Sequence, residues 1–117
     1  MTVINPPISG KDGDGNELEP VYEDGHAFYR EYLRFQFARD LQGEVRWCVL
    51  WTEHPEAVAG VDALWRSWED CTFDPGRGLA VWLVQFAYPI MSHLFDEHGT
   101  FDGCSELAHR PRAEPLP

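Results

Sequence analysis

The residues that could do chemistry in this chain are concentrated near its carboxyl-terminal end. Cysteine sulfur and histidine nitrogen are ligands that zinc prefers, and four such residues follow one another there: His93, His98, Cys104 and His109. Their spacing differs from the paired C-x-x-C signature of a zinc finger. Cys48 and His54, from the middle of the chain, could join such a site. Zinc is therefore one hypothesis, and the simpler interpretation is surface histidines with a cysteine buried as a small hydrophobe and no cofactor.

A cysteine nucleophile is the second kind of chemistry that the residue types allow. Cys48 or Cys104 could be paired with a histidine base, with Asp70 or Glu56 orienting the imidazole. No known nucleophile motif surrounds either cysteine, and the sequence contains no phosphate-binding glycine loop, dinucleotide fingerprint or Ser-His-Asp order. The sequence therefore predicts that the protein is not an enzyme and has no catalytic residues.

The stretch from Trp47 to Asp70 is the clearest structural element that could position these groups. It holds four of the five tryptophans, and its apolar residues recur at the three-then-four spacing of one helix face: Ala57, Val58, Val61, Leu64, Trp65 and Trp68. Thr52 or His54 is expected to cap this helix, with Pro55 in its first turn. The pattern predicts a core helix from Pro55 to about Glu69, and Gly60 within it predicts a close approach by another element.

Two further helices are predicted on either side of this stretch. The first runs from about residue 26 to residue 41, with Asp24 as its N-cap. The last begins at Leu79 and contains Pro89, which predicts a kink near residues 85 to 88 or two shorter helices. The predicted fold class is all-α, a small single-domain bundle of three main helices with the third kinked at Pro89.

The two ends of the chain differ in composition from the helical region. Residues 1 to 22 are rich in proline, glycine and acids and carry almost no periodic apolar signal, which is typical of a flexible acidic arm. Residues 109 to 117 are rich in proline and predict a flexible tail. The predicted organisation is thus an arm at 1–22, a helical domain at 23–108 and a tail at 109–117.

The charge balance limits the partners that the chain could bind. Twenty acidic residues against nine basic ones give a net charge of −11. Because binding to phosphates needs a basic face, the sequence predicts no direct contact with nucleic acid or an anionic membrane. An acidic protein can instead bind a basic site on another protein, and the acidic arm could fold on such a partner or mimic nucleic acid.

The expected location is the cytoplasm. The amino terminus has no basic leader, and three cysteines cannot all pair within the chain. The most apolar segment, from Leu79 to Met91, holds Gln85 and Pro89 and is shorter than a membrane span. The pattern predicts a cytoplasmic protein with reduced thiols. If a phage encodes the protein, this is the cytoplasm of the host cell.

The central and carboxyl-terminal parts of the chain also carry a recognisable set of ordered residues. It comprises Arg46-Trp47-Cys48, Trp51, His54 to Ala57, Ala63 to Glu69, Asp74-Pro75-Gly76, Trp82, Pro89, Met91, Leu94, Gly99, Phe101 and Cys104. On these residues the chain resembles the actinobacterial family called domain of unknown function 4913, which is found in phages, plasmids and integrative elements. The resemblance implies an origin in a mobile element and brings no reaction with it. Where the family pattern has a histidine before Met91, this chain has Ile90.

Together these patterns predict a non-enzymatic protein-interaction module from an actinobacteriophage or related mobile element. It would bind a host or phage protein, or a second copy of itself, through an acidic surface that bears aromatic residues. Aromatic side chains carry much of the energy at interfaces, and the candidates are Phe28, Tyr29, Tyr32, Trp47 and Trp51. The alternatives are a small zinc-stabilised protein that uses the C-terminal histidines and Cys104, and a virion or assembly component.

Overall fold

The computed structural model describes residues 19–41, 44–105, 107–111 and 115–117, so most of the predicted arm lies outside the described residues. Three helices, separated by turns and loops, organise the described ranges. The first comprises Gly25–Phe28, a π-helical turn Tyr29–Leu33 and Arg34–Gln36; the central helix is Pro55–Cys71; the last comprises Gly78–Trp82, a π-helical turn Leu83–Ala87 and Tyr88–Phe95. No strand occurs in these ranges, where Val45 and Asp96 form an isolated bridge. The all-α prediction is confirmed.

The first helix begins as predicted and ends earlier. Asp24 is its N-cap, because a carboxylate oxygen accepts a hydrogen bond of 2.8 Å from the Ala27 N–H. The helix stops at Gln36, since Phe37 leaves helical geometry with φ −112° and ψ 32°. The Phe37 ring is buried and meets Tyr88 edge to face, with ring centroids 5.9 Å apart. Burial of this ring thus accompanies the early end of a helix that periodicity extended to residue 41.

The central helix supplies the middle of the core. Four of the six residues of the predicted stripe are buried, Ala57, Val61, Leu64 and Trp65, and the other two, Val58 and Trp68, are half-buried. A β-carbon built on Gly60 would lie 3.2 Å from Leu94 Cδ1 and 3.4 Å from Ile90 Cγ2 of the last helix. The close approach that Gly60 predicted is therefore present, and the missing side chain lets the two helices pack closely.

The last helix contains a backbone irregularity immediately before Pro89. In the π-helical turn Leu83–Ala87 the Tyr88 N–H donates to the Leu83 carbonyl, so one residue is added to that turn. Pro89 has no N–H with which to continue the regular pattern of bonds. An irregularity was expected near this proline; the kink itself stays a prediction.

The last helix is also the one described helix whose length and composition would suffice to cross a membrane. Gly78–Phe95 spans 18 residues with a mean hydropathy of 1.3. The segment considered from sequence alone, Leu79 to Met91, was shorter than a membrane span. One face of this helix is buried in the protein, through Trp82, Ala87, Met91 and Leu94. Core helices share these properties, so the helix by itself is weak evidence for a membrane span.

Aromatic rings fill the core in two groups. One group surrounds Trp68 and contains Tyr22, Phe28, Tyr32 and Trp82. The other surrounds Trp47 and contains Tyr29, Trp51, Phe95 and Phe101. The second group lies beside the loops that carry most of the cysteines and histidines.

Ordered contacts reach past the predicted limits of the helical domain at both ends. The Val21 and Tyr22 N–H groups donate to the Glu69 carboxylate at 2.8 and 3.0 Å. At the other end His109 lies 3.0 Å from the Cys48 sulfur. His109, which the sequence assigns to the flexible tail, thus contacts a buried cysteine of the helical domain.

Candidate metal centre

Two loop segments on the same side of the molecule bring two cysteines and two histidines together. Cys48 and His54 flank a 3-10 turn, Trp51–Glu53, that leads into the central helix. Cys104 and His109 lie in the irregular segment after Phe101. The two segments are joined by a backbone hydrogen bond of 3.2 Å from the Val49 N–H to the Ser105 carbonyl.

The four side chains offer two sulfur and two nitrogen atoms in one small volume. One such atom from each of Cys48, His54, Cys104 and His109 lies within 4.8 Å of all the others. Cys48 Sγ is 3.0 Å from His109 Nδ1, and Cys104 Sγ is 3.5 Å from His54 Nε2. Tetrahedral zinc, with bonds of about 2.3 Å to sulfur and 2.0 Å to nitrogen, separates its ligand atoms by about 3.3 to 3.8 Å. The two shortest of these contacts, 3.0 and 3.5 Å, are close to that range, and the upper limit of 4.8 Å for the others exceeds it by about 1 Å.

The cluster lies mostly out of solvent. Cys48, Cys104 and His54 are buried and His109 is half-buried. Phe101 closes one side, with its ring 5.0 Å from that of His54 in an edge-to-face contact. Buried polar groups are costly unless they are paired, and a shared cation would pair all four.

Backbone N–H groups point at both sulfur atoms. The Leu50 N–H donates to Cys48 Sγ at 3.4 Å, and the Arg110 N–H donates to Cys104 Sγ at 3.3 Å. Such bonds favour the thiolate, which is the form that binds a metal ion. As a thiol, Cys104 can also donate to the Arg110 carbonyl at 3.6 Å. The loops therefore accommodate either form of this cysteine.

Burial shifts the pKa values of two residues of this cluster, Cys48 and His54, in the absence of a cation. It raises the pKa of the Cys48 thiol to about 11, against the opposing effect of the Leu50 N–H, and neighbouring Cys104 raises it further. Burial also lowers the pKa of His54, and nearby His109 adds to this effect. His54 is thus held in the neutral form that binds metal, while Cys48 would have to release a proton when a cation enters.

The structure brings two of the four C-terminal candidates to this cluster and leaves two outside it. Cys104 and His109 belong to the group, and Cys48 and His54 complete it. His93 lies on the exposed face of the last helix, where its Nε2 is 3.0 Å from a Glu56 carboxylate oxygen.

His98 is also exposed and lies 3.6 Å from the Glu97 carboxylate. The chain turns after the last helix ends at Phe95, and it is Phe101 and Cys104 that become buried. This turn separates the side chain of His98 from the group that contains Cys104.

The residues proposed for partner binding are mainly core residues. Phe28, Trp47 and Trp51 are buried, and Tyr29 and Tyr32 are half-buried. The Tyr29 ring stacks on that of Trp47, with centroids 5.6 Å apart and planes 5° apart. Only the two tyrosines of this set offer appreciable surface to another molecule.

The two carboxylates considered for orienting a catalytic imidazole have other surroundings. Glu56 accepts hydrogen bonds from His93 and from the Thr100 hydroxyl, and the Thr100 bond is the main cause of its lowered pKa. Asp70 is exposed near the end of the central helix. Neither carboxylate is hydrogen-bonded to a histidine of the Cys/His cluster in the described residues.

The fold and the cluster define a small all-α domain whose loops carry a buried Cys₂His₂ group. The model of the family described as Domain of unknown function (DUF4913) matches residues 22–117, and the chain belongs to this family. The resemblance read from the ordered residues is thereby confirmed. No curated protein and no solved structure matches the chain.

Proposed function

We propose that this protein is a small structural-zinc domain in which Cys48, His54, Cys104 and His109 hold one ion. The observation that carries the proposal is that one ligand atom from each of the four lies within 4.8 Å of all the others. Two sulfur and two nitrogen ligands in a tetrahedral arrangement are typical of zinc. Zinc, the alternative cofactor considered at the start, becomes the preferred one, with a ligand set that draws on both loop segments.

A structural role is favoured over a catalytic one. Four protein ligands complete a tetrahedral zinc site, whereas a catalytic site keeps one position open for water or substrate. A cysteine nucleophile needs access to solvent and a lowered pKa, but Cys48 is fully buried and its pKa is raised to about 11. These features support a protein that is not an enzyme.

The ion would act on the fold by joining two distant parts of the chain. The cluster links the segment before the central helix to the segment after the last helix. Binding of structural zinc contributes an apparent free energy of about 10–16 kcal/mol in zinc-finger peptides, where it is inseparable from folding. In this proposal the three helices form a bundle and the last helix bends at Pro89. The zinc ion links the two loop segments to each other at one end of the bundle.

The biological role that we propose is the one suggested by charge and family, a protein-interaction module of an actinobacterial mobile element that acts in the cytoplasm. A net charge of −11 supports a protein partner over nucleic acid or an anionic membrane. Of the aromatic candidates, Tyr29 and Tyr32 keep exposed surface for such a contact. A virion or assembly component stays the alternative within this class.

The test is native mass spectrometry of the full chain, purified without affinity metal or chelator and then measured again after chelation. One zinc per chain before chelation and none afterwards, with a loss of ordered structure, is the expected result. Substitution of Cys104 by serine should abolish stoichiometric zinc. Substitution of the remaining cysteine, Cys71→Ser, is the matched control and should leave the zinc in place, since Cys71 lies outside the cluster. A metal-free protein with unchanged helicity in chelator would refute the proposal.

A further inference from the structure

A cavity between the first and last helices has no part in the metal centre. It has a volume of about 230 Å³. Its apolar wall is formed by Leu33 and Phe37 of the first helix region, Met91 and Phe95 of the last helix, and Trp47. A cavity of about 150 Å³ with apolar walls already accepts benzene, so this one has room for an aromatic ring with a short chain attached.

One wall of the cavity contains a buried donor that lacks an acceptor. The Trp47 side chain is only 7% exposed, and its Nε1–H finds no hydrogen-bond partner in the described ranges. Burial raises the pKa of the Tyr29 hydroxyl, and the nearby Trp47 N–H opposes this rise without forming a hydrogen bond of normal geometry. Buried donors are nearly always paired in folded proteins. This N–H has less than 1 Å² of accessible surface, so a ligand in the cavity would change its surroundings through the indole ring without accepting a hydrogen bond from it.

Two arginines at the same cavity provide a positive charge. Arg34 and Arg39 both line it, and neither forms an ion pair within the described residues. The Arg34 guanidinium lies 4.3 Å from the centre of the Phe35 ring and donates to the Arg30 carbonyl.

The second guanidinium is placed between aromatic rings. Arg39 lies 5.6 Å from the centre of Phe37 and 5.9 Å from that of Phe95, and it donates to the Ala38 carbonyl. A guanidinium has five N–H donors in total, so both arginines keep donors for an anion. Two cations that have no carboxylate partner in the described part of the chain are notable in a sequence with a net charge of −11.

Two acidic residues line a neighbouring cavity and not this one. Glu44 and Asp96 line an adjoining cavity of about 310 Å³, which shares Phe37, Arg39, Met91 and Phe95 with the first. Neither acid lines the first cavity. An anion is therefore favoured in the first cavity, which both Arg34 and Arg39 line, over the adjoining cavity, which contains Glu44 and Asp96.

We propose that this cavity binds a small arylalkanoic acid, with the ring among Leu33, Phe37 and Met91 and the carboxylate on Arg34 and Arg39. The apolar walls match the ring, and the unpaired guanidinium groups match the carboxylate, which is the anion that they bind most specifically. The site does not depend on zinc or on the proposed structural role, because none of its lining residues is a ligand of the metal cluster.

The test uses the full chain as purified, labelled with ¹⁵N, and 3-phenylpropionate as the probe. The readout is the indole N–H signal of Trp47, assigned with Trp47→Phe. A saturable shift of this signal is expected, with affinity lowered by about tenfold or more when the neutral 3-phenylpropanol replaces the acid, since charge-assisted hydrogen bonds are lost. Acetate, which has the head group alone, should cause no saturable shift.

Substitutions of the two arginines test whether they bind the carboxylate of the probe. Arg39→Gln and Arg34→Gln should each weaken binding of 3-phenylpropionate by about tenfold. Arg77→Gln is the matched control, because Arg77 is exposed and does not line the cavity. Amide spectra of all variants establish that they are folded before their affinities are compared.

Three results would overturn the proposal. They are the absence of a saturable shift, equal affinity for the acid and the alcohol, and tighter binding of the peptide acetyl-Glu-Phe-Glu-amide than of 3-phenylpropionate. The last result would identify the cavity as a docking site for a protein segment.

Discussion

The helical core and the Cys/His loops would stabilise this protein by different physical means, the loops through the proposed zinc ion. In the core, side chains such as Val61, Leu64 and Trp82 are removed from water along continuous helices, and each contributes its own share of apolar burial. In the loops, four polar side chains converge from segments with little regular structure. A substitution in the core is thus expected to lower stability in proportion to the apolar surface that it removes. The stability of the loops is expected to depend on a single ion.

Removal of the ion should have the largest effect and tests the loop side of this comparison. Chelation, or Cys48→Ser, is expected to cost several kcal/mol, a part of the roughly 10–16 kcal/mol that structural zinc supplies to zinc-finger peptides. Thermal unfolding with and without chelator measures the effect, and Cys71→Ser should respond to chelator as the unmodified protein does. If chelator leaves the melting temperature unchanged, the loops do not depend on an ion.

Truncation of a core side chain should have the next largest effect and should not depend on zinc. Leu64 is fully buried in the central helix, and Leu64→Ala is expected to cost about 2–5 kcal/mol in the free energy of unfolding. Urea denaturation measures this cost. Val84→Ala is the control, since Val84 is 68% exposed and should change stability by less than about 0.5 kcal/mol. Similar losses for both variants would contradict the placement of the core.

A smaller effect is expected where the central and last helices meet. Gly60→Ala gains about 1 kcal/mol of helix propensity, but its β-carbon meets Leu94 and Ile90 at 3.2 and 3.4 Å. Crowding of this kind typically costs about 1–3 kcal/mol, so the net change should be a modest loss of stability. Ala59→Gly, at an exposed position of the same helix, should lose about 1 kcal/mol from propensity alone. A clear gain of stability for Gly60→Ala would show that the helices are not closely packed there.

The smallest effect concerns Glu56, which lies at the start of the central helix. Its pKa is lowered mainly by the Thr100 hydroxyl and also by His93, so the ionised form is favoured in the folded state. This contribution is present above the ordinary pKa of 4.5 and is lost as the pH falls through the lowered folded value. Because the side chain is 61% exposed, Glu56→Gln should cost less than about 1 kcal/mol at neutral pH.

The pH profile of stability checks this expectation. The difference between Glu56→Gln and the unmodified protein should shrink when the pH is lowered below about 4. Asp70→Asn, the same type of change at an exposed position of the same helix, is the control. A difference that stays constant at low pH would show that the effect does not come from the ionised carboxylate.

The sequence predicted the core better than it predicted the candidate site. Helical spacing identifies Ala57, Val61, Leu64 and Trp65 as one buried face, because period and burial are linked directly in a helix. Loop residues have no such period, so nothing in the spacing of His93, His98, Cys104 and His109 shows which of them turn inwards. The end of the first helix at Gln36 was not predicted either. The apolar spacing extends the helix to residue 41, but Phe37 leaves helical geometry and its ring is buried against the last helix.

One sequence signal could have pointed to the four residues of the Cys/His cluster. Cys48 is followed shortly by His54, and Cys104 is followed at a similar spacing by His109. Cys48 lies between buried Trp47 and Trp51, and Cys104 follows buried Phe101. Two such Cys-to-His pairs indicate two loops that each contribute one sulfur and one nitrogen, although Cys48 and His54 were predicted only as possible additions to the C-terminal set.

The π-helical turns at Tyr29–Leu33 and Leu83–Ala87 have a consequence for the length of the chain. Each turn holds one residue more than an α-helical turn would need. Deletion of one exposed residue there, such as Gln85, would convert the turn to an α-helix, and the following side chains would keep their places on the core. Deletion of a residue from the regular central helix would instead rotate every later side chain by about 100°. These two turns are thus the helical positions at which the chain can change length by one residue with the least disturbance.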